Sequence, residues 1–479
     1  MEQYFTPRRN IQDKCGVYAV DGTNAAKGSP LTSVNIINGL VALQHRGQDS
    51  IGIVLDHNGT YGDIRRAGLA KDWFFSEERK KFAGKRGIGH NRYTTDGELS
   101  LHQAQPFTDG DLVFAVNGNL PEVQKLGQFV EAHGRPTQGA NDSQLMFEAV
   151  RAVMSSGAVP LPDAVAQVYD LFKGAFSVVA MDRTHMVGLK DRYGVKPLAF
   201  GQDPDGNFIF SSETRALPPE TAWREVQAAE MLVINKGRLE KPWKLAEASP
   251  RPDSFEGIYF MKPDSVWEGK LVGDHRKRLG RQLAMEILDN DQIRAGLVVG
   301  VPNSALIAAR EFARTLGIDY EENGLTVNPD VTTRMYISRQ DSRMELLKLK
   351  YLAHKGALKG RDIYVGDDSL VRGDAFKYGV LPILRAAGVG RIHGVIFSPP
   401  VISSHEHAAV MPVNEIIHYG KTTEEVRNEL GLDSLTYLSV PGMHTAFGIP
   451  EGQLSTFCFT GEFLPETQHL SPIKQPVLV

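Results

Sequence analysis

Cysteine is scarce in this sequence, with only Cys15 and Cys458 among 479 residues. Two thiols cannot build a disulfide framework, nor hold an iron–sulfur cluster by four thiolates, so neither is expected. Charge of one sign is also lacking: 53 Lys and Arg stand against 57 Asp and Glu, for a net of −4. That balance gives no electrostatic reason to expect nucleic acid or an anionic membrane as partner. No apolar run is long enough to span a bilayer, and the opening MEQYFTPRRNIQDK lacks the apolar stretch of a secretory signal. A cytoplasmic location is the expectation.

What remains describes a globular chain, 42% hydrophobic and 23% charged, too long for one core and expected to fold as two or three domains. From Cys15 to about residue 240, short strand-like runs alternate with Gly and Asn clusters: VYAV, IGIV, LVFAVNG, FSVVAM, FIFSS and MLVIN. Helical stretches are predicted at 31–43 and 142–154. Many strands and few helices point to layered sheets. The segment LAEASPRPDSFEG, residues 245–257, reads as a crossover between domains. Beyond it, helices are predicted at 275–290, 304–316 and about 376–387. They alternate with the strands GLVVGVP, RDIYVGDDS and RIHGVIFSPP, a succession that implies a parallel sheet with its site at the strand ends.

Cys458, in STFCFTGEF, has the setting of a small buried hydrophobe. Cys15, in KCGVYAV, stands just before a strand. A thiol with an ordinary pKa of about 8.5 needs a base to act at neutral pH. An N-terminal cysteine carries one, since its α-amine has a pKa of about 7.7–8.0 and can take the thiol proton. That chemistry requires removal of a leader, residues 1–14. Acyl transfer also needs donors aimed at an oxyanion, and Asn117-Gly118 offers a side-chain amide beside a backbone N–H.

The ordered set CGV, LQHRGQDSIGI (43–53), GHNRYTT (89–95) and NGNL (117–120) resembles the class II glutamine amidotransferases. The QHRGQ form is most similar to the branch that acts on phosphoribosyl pyrophosphate in purine synthesis. DRYGVKPL, SSETRAL, IYFMKPDS, SRQDSR, DDSLVRG, FSPP and CFTGEF extend the likeness over nearly the whole chain. The resemblance implies an α+β N-terminal-nucleophile hydrolase of four αββα layers (15–245), then an α/β type I phosphoribosyltransferase-like domain (258–479). It implies Cys15 as nucleophile, with Asn117 and Gly118 as the oxyanion hole. Glutamine would be bound by Arg92, Thr95 and Asp142, where a bidentate cation suits its carboxylate and an anion its ammonium.

In the second half the resemblance assigns Asp367 and Asp368 to the ribose hydroxyls and, with Ser304, to Mg²⁺. Ser369, Arg372 and Gly373 fall in the phosphate-binding loop. Arg334, Arg343, Lys348 and Lys350 fall at basic positions along a lid and the helix after it. The match is imperfect. Two threonines of the phosphate loop are here Asp374 and Ala375, and the pyrophosphate loop reads Pro302-Asn303-Ser304-Ala305 where the family has Pro-Asp-Ser-Gly. The lid reads Leu325-Thr326-Val327-Asn328, without its lysine. A carboxylate a few ångströms from a phosphate dianion is repulsive by several kcal/mol at an effective dielectric of about 20, unless Asp374 serves to cap the helix.

The implied activity is glutamine hydrolysis at Cys15, with ammonia channelled to phosphoribosyl pyrophosphate to give 5-phosphoribosylamine, glutamate and pyrophosphate. The alternative is an intact glutaminase in a diverged paralogue, whose second domain aminates another phosphorylated acceptor or serves as a regulatory partner. Association as a homo-oligomer is implied by the family alone.

Overall fold

The computed structural model describes residues 15–26, 32–57, 59–74, 84–92, 103–290, 294–329, 347, 349–404 and 413–462. Thr95, Arg334, Arg343, Lys348 and the leader 1–14 lie outside the described residues. The described chain forms two units, the first ending at Asp253 and the second beginning at Ser254. That break falls inside the segment 245–257 expected to be the crossover.

In the first unit, the run GVYAVD becomes β1 (Gly16–Asp21), and all six of its residues are buried. A strand covered on both faces reads as a continuous apolar run, which is why VYAV does not alternate with polar residues. β1 lies in a seven-stranded antiparallel sheet with β2 (Ser50–His57), β3 (Thr60–Ala67) and β4 (Arg86–Arg92). β1 pairs with β4 on one side. On its other side the sheet continues through strands Phe208–Ser211, Ala199–Gln202 and Ala222–Glu225.

A second antiparallel sheet contains β5 (Phe107–Asp109), β6 (Leu112–Glu122), β7 (Lys173–Met181) and β8 (His185–Lys190), then Glu230–Asn235. Val17, Ala19 and Ile88 of the first sheet pack against Val113, Ala115 and Val179 of the second. Tyr18 and Val20 point the other way, under Ile36 and Leu40 of the helix Thr32–Ala42. Helices Asp142–Gly157 and Leu161–Val168 cover the outer face of the second sheet. The result is four layers in the order αββα.

The second unit is built on a parallel sheet in the order Asp319–Tyr320, Leu297–Gly300, Ile363–Asp367, Ile392–Ile396, Ser434–Tyr437. Leu297, Val299, Val365 and Ile396 form its core with Phe376 and Leu384 from the covering helices. The helix expected from Ser304 starts at Leu306, because Pro302–Ala305 are spent in turns. The helix expected near 376–387 is a wide π turn, Ala375–Val380, running into α-helix Leu381–Ala386. Pro382 has no N–H to give to the preceding turn, and the helix widens just before it.

Candidate active sites

Cys15 is half-buried at the head of β1. Gly16 pairs with Asn91 of β4, so the antiparallel register puts Cys15 across from Arg92, the last residue of that strand. Arg92 is buried, and its Nη2 donates to Gln103 Oε1 at 2.5 Å. One step deeper on β4, His90 Nε2 donates to the Val116 carbonyl of β6 at 3.2 Å. A carbonyl can only accept, so the proton sits on Nε2. Burial, and after it the Arg92 charge, lower His90 to about 3, which keeps it neutral.

Asn117 follows Val116, and its side chain shares the inter-sheet face with Ala115. It is fully buried, yet neither its amide nitrogen nor its oxygen has a hydrogen-bond partner among the described residues. Gly118 stands next to it and can be nothing larger, since a Cβ there would lie 2.3 Å from the Ala175 carbonyl of β7. Gln105 Oε1 accepts from Val116 N at 2.6 Å, so Gln103 and Gln105 together tie the end of β4 to β6.

Asp142 opens the helix Asp142–Gly157 behind a capping box made by Asn141 and Gln144. Its Oδ2 accepts from Leu120 N at 2.9 Å and its Oδ1 from Ser143 N at 2.8 Å. The expected residues Cys15, Arg92, Asn117, Gly118 and Asp142 therefore converge on one end of the sandwich. Sequence reasoning gave no role to Gln103 or to a cluster of half-buried His45 with buried Arg46 and Glu213. The signal for the cluster was present, as charged residues inside QHRGQ and SSET where their neighbours are small or uncharged.

In the second unit, Asp367 ends the strand Ile363–Asp367. Its Oδ1 accepts from Asp368 N at 2.9 Å, and Asp368 Oδ1 accepts from Ser369 Oγ at 2.8 Å. Burial, and after it the Asp368 charge, push the Asp367 carboxyl well above the ordinary carboxylate range, while Lys350 pulls it the other way. Lys350 is thus near the paired acids, its Nζ 4.8 Å from the centre of the Tyr351 ring. Ser304 follows the adjacent strand, where Gly300 pairs with Gly366.

Arg372 is engaged by Glu415, with Nε at 2.6 Å and Nη2 at 2.5 Å from the same carboxylate oxygen. Gly373 takes the left-handed φ of 78° that glycine alone adopts readily. Asp374 heads the wide turn but makes no side-chain capping bond, so capping does not account for its presence. Lys377, one turn on, is held chiefly by Glu429, 2.8 Å from its Nζ, and the Asp374 charge adds a smaller attraction for the same ammonium. Ala305 sits in an ordinary right-handed conformation at φ −80°, so that position does not need glycine for its backbone angles. Among the described residues no group of three or more His, Cys, Asp or Glu side chains comes together to hold a metal.

A glutamine amidotransferase domain model matches residues 90–219. The chain is 32% identical to an amidophosphoribosyltransferase of Staphylococcus epidermidis, over 95% of this chain and 91% of that protein. It is also 32% identical to an amidophosphoribosyltransferase of Bacillus subtilis, covering 98% of each. Among solved structures, glutamine phosphoribosylpyrophosphate amidotransferase from B. subtilis, complexed with ADP and GMP, matches with a TM-score of 0.83 at 31% identity, over 94% of this chain and 97% of that one. The four-layer sandwich headed by a cysteine, followed by the parallel-sheet unit, defines an N-terminal-nucleophile glutamine amidotransferase joined to a phosphoribosyltransferase-type domain. The chain belongs to the amidophosphoribosyltransferase family.

Proposed function

We propose that this chain transfers the amide nitrogen of glutamine to phosphoribosyl pyrophosphate, giving 5-phosphoribosylamine, glutamate and pyrophosphate. The observation that carries the reading is Asn117, a fully buried amide without a hydrogen-bond partner among the described residues, on β6 of the sheet that packs against the one Cys15's strand belongs to. With residues 1–14 removed, the Cys15 α-amine takes the thiol proton and Sγ attacks the glutamine side-chain carbonyl carbon. Negative charge grows on the carbonyl oxygen, where Asn117 Nδ2–H and the Gly118 N–H donate to it. The proton passes to the departing ammonia as the tetrahedral intermediate collapses to a thioester, and water then releases glutamate. Arg92 and Asp142 hold the carboxylate and ammonium of the substrate, and Thr95 adds a hydroxyl.

Ammonia attacks the anomeric carbon of phosphoribosyl pyrophosphate in the second unit as pyrophosphate leaves. Asp367 and Asp368 hold the ribose hydroxyls, and Ser369, Arg372 and Gly373 form the loop for the 5′-phosphate. Ser304, Lys350 and Arg334 are assigned to the diphosphate. The residues fit Mg²⁺: two adjacent carboxylates, one of them held against its tendency to ionise, suit a hard cation that keeps waters and substrate oxygens as its other ligands. Mg²⁺ bound there with Ser304 would neutralise the diphosphate leaving group. A homo-oligomer working in the cytoplasm belongs to the same reading.

The test is pyrophosphate release by leader-free protein given glutamine, Mg²⁺ and phosphoribosyl pyrophosphate. Release that vanishes in Cys15→Ala is expected. Glutamate formation without pyrophosphate would refute the assignment of the acceptor.

A further inference from the structure

We propose that Glu213 is a positioning residue of the glutaminase reaction: it clamps His45 and Arg46, and through them fixes the loop that packs against both the nucleophile's strand and the glutamine-binding arginine. The inference rests on the glutaminase reading above. Glu213 is fully buried, and one of its oxygens, Oε1, accepts from His45 Nε2 at 2.6 Å and from Arg46 Nε at 2.6 Å. The Arg46 side chain is only 1% exposed. A buried ion pair is a costly way to stabilise a fold, because desolvation consumes most of the attraction. Its place in the fold gives it another use.

The residue before Glu213, Ser212, is bonded to the nucleophile strand twice. Val17 N donates to Ser212 Oγ at 3.0 Å, and Ser212 N donates to the Val17 carbonyl at 3.1 Å. Arg46 starts beside the nucleophile, since a Cβ on Gly16 would lie 3.5 Å from Arg46 Cβ. The next residue, Gly47, packs on the peptide joining Asn91 to Arg92, where a Cβ would come within 2.5 Å of the Asn91 carbonyl carbon. Asp49 N donates to the Arg92 carbonyl at 3.1 Å. Residues 45–49 therefore pack against both the head of β1 and the end of β4, which pair with each other. Gln44 pins the start of this loop, its Nε2 donating to the Gly47 carbonyl at 2.5 Å and its Oε1 accepting from Ala70 N at 2.6 Å. Glu213 supplies the hold on its side chains.

The clamp also sets the local charge. The ionisable groups on the elements packed at this end are His45 and Arg46 on this turn, Asp49 after it, His90 and Arg92 on β4, Glu213 beyond β1, and Asp142 at the head of its helix, bonded to Leu120 of β6. Removing the Glu213 charge makes the field around His45 and Arg46 more positive, and added positive charge nearby lowers the pKa of both an amine and a thiol.

Two variants of the leader-free protein, with both domains present, test this, with thermal melting used to verify folding. In Glu213→Gln the acid limb of glutaminase kcat/KM should move to lower pH by roughly one unit, and the rate at the optimum should fall roughly ten-fold. Glu213→Asp keeps the charge but shortens the reach. Its limb should stay in place while the rate falls by a similar factor. A Glu213→Gln profile that drops equally at every pH, or a Glu213→Asp enzyme with the original rate, overturns the proposal. Should Glu213→Gln fail to fold, the Glu213→Asp rate decides alone. Glutamine turnover surviving in Cys15→Ala would sink the glutaminase reading itself, whereas an inert Cys15→Ala beside an unperturbed Glu213→Asp would sink only the clamp.

Discussion

In the oxyanion role proposed for Asn117, catalysis and stability pull in opposite directions, and Asn117→Leu separates them. Its amide nitrogen and oxygen are both buried without a hydrogen-bond partner among the described residues. A buried polar group left unsatisfied costs about 1–3 kcal/mol, and an apolar side chain of similar shape removes that cost. Leucine branches like asparagine but carries methyl groups of somewhat larger girth, so part of the gain is lost to local crowding. A net stabilisation of roughly 1–2 kcal/mol remains, which for a unit of this size corresponds to a rise in Tm of about 2–8 °C. Losing one donor to a developing oxyanion costs about 2.7–4 kcal/mol of transition-state stabilisation, or roughly 10²–10³ in kcat. The assays are calorimetric melting of the leader-free protein and glutamate release from glutamine. A variant that melts lower by the amount of a core truncation, while hydrolysing glutamine within a few-fold of the original rate, would refute the reasoning. Asn117 would then be an ordinary packing residue.

Three other outcomes are expected. Asp367→Asn should stabilise the protein more at pH 8 than at pH 5. A carboxyl whose folded-state pKa is raised binds its proton more tightly when folded, so the destabilisation it causes is present above that pKa and fades as pH falls through it. Melting at both pH values checks the sign, and the same variant should lose the Mg²⁺ dependence of pyrophosphate release. Gly118→Ala should destabilise by about 1–3 kcal/mol and abolish glutamine hydrolysis, because its methyl would strike the Ala175 carbonyl at 2.3 Å; a stable, active variant in denaturant titration and glutamate assay would contradict it. Asp374→Thr should tighten phosphoribosyl pyrophosphate binding in titration calorimetry by roughly ten-fold, and an unchanged affinity would mean that Asp374 does not face the phosphate.

The glutaminase half was legible because its chemistry is carried by contiguous motifs on strands with plain patterning. VYAV announces a strand buried on both faces, and the structure puts its head across from Arg92. Asn117-Gly118 sits inside LVFAVNG, and Asp142 lies within an Asn-x-x-Gln capping box that can be read directly. What could not be read was pairing across the chain. Glu213 lies 167 positions from Arg46, and nothing local in SSET says where its carboxylate ends. Gln103 likewise meets Arg92 only through the fold.

The loop proposed for the 5′-phosphate does not respond to its substitutions one at a time. Taken alone, Asp374 brings a negative charge to a phosphate pocket, a repulsion of roughly 3 kcal/mol per phosphate charge at 5 Å and an effective dielectric of 20. Lys377, one turn along, feels the Asp374 charge and is held with its ammonium toward Glu429, so the local field at the turn is not that of a lone carboxylate. The backbone that would cradle the phosphate depends on other residues. Gly373 keeps its left-handed φ, and Ala305 accepts the φ of its turn without needing glycine. The lost threonines and glycine thus remove hydroxyls and clearance without removing the loop's course. That is why roughly ten-fold, rather than abolition, is the effect assigned to Asp374, and why altered loops can accompany a match running the length of the family.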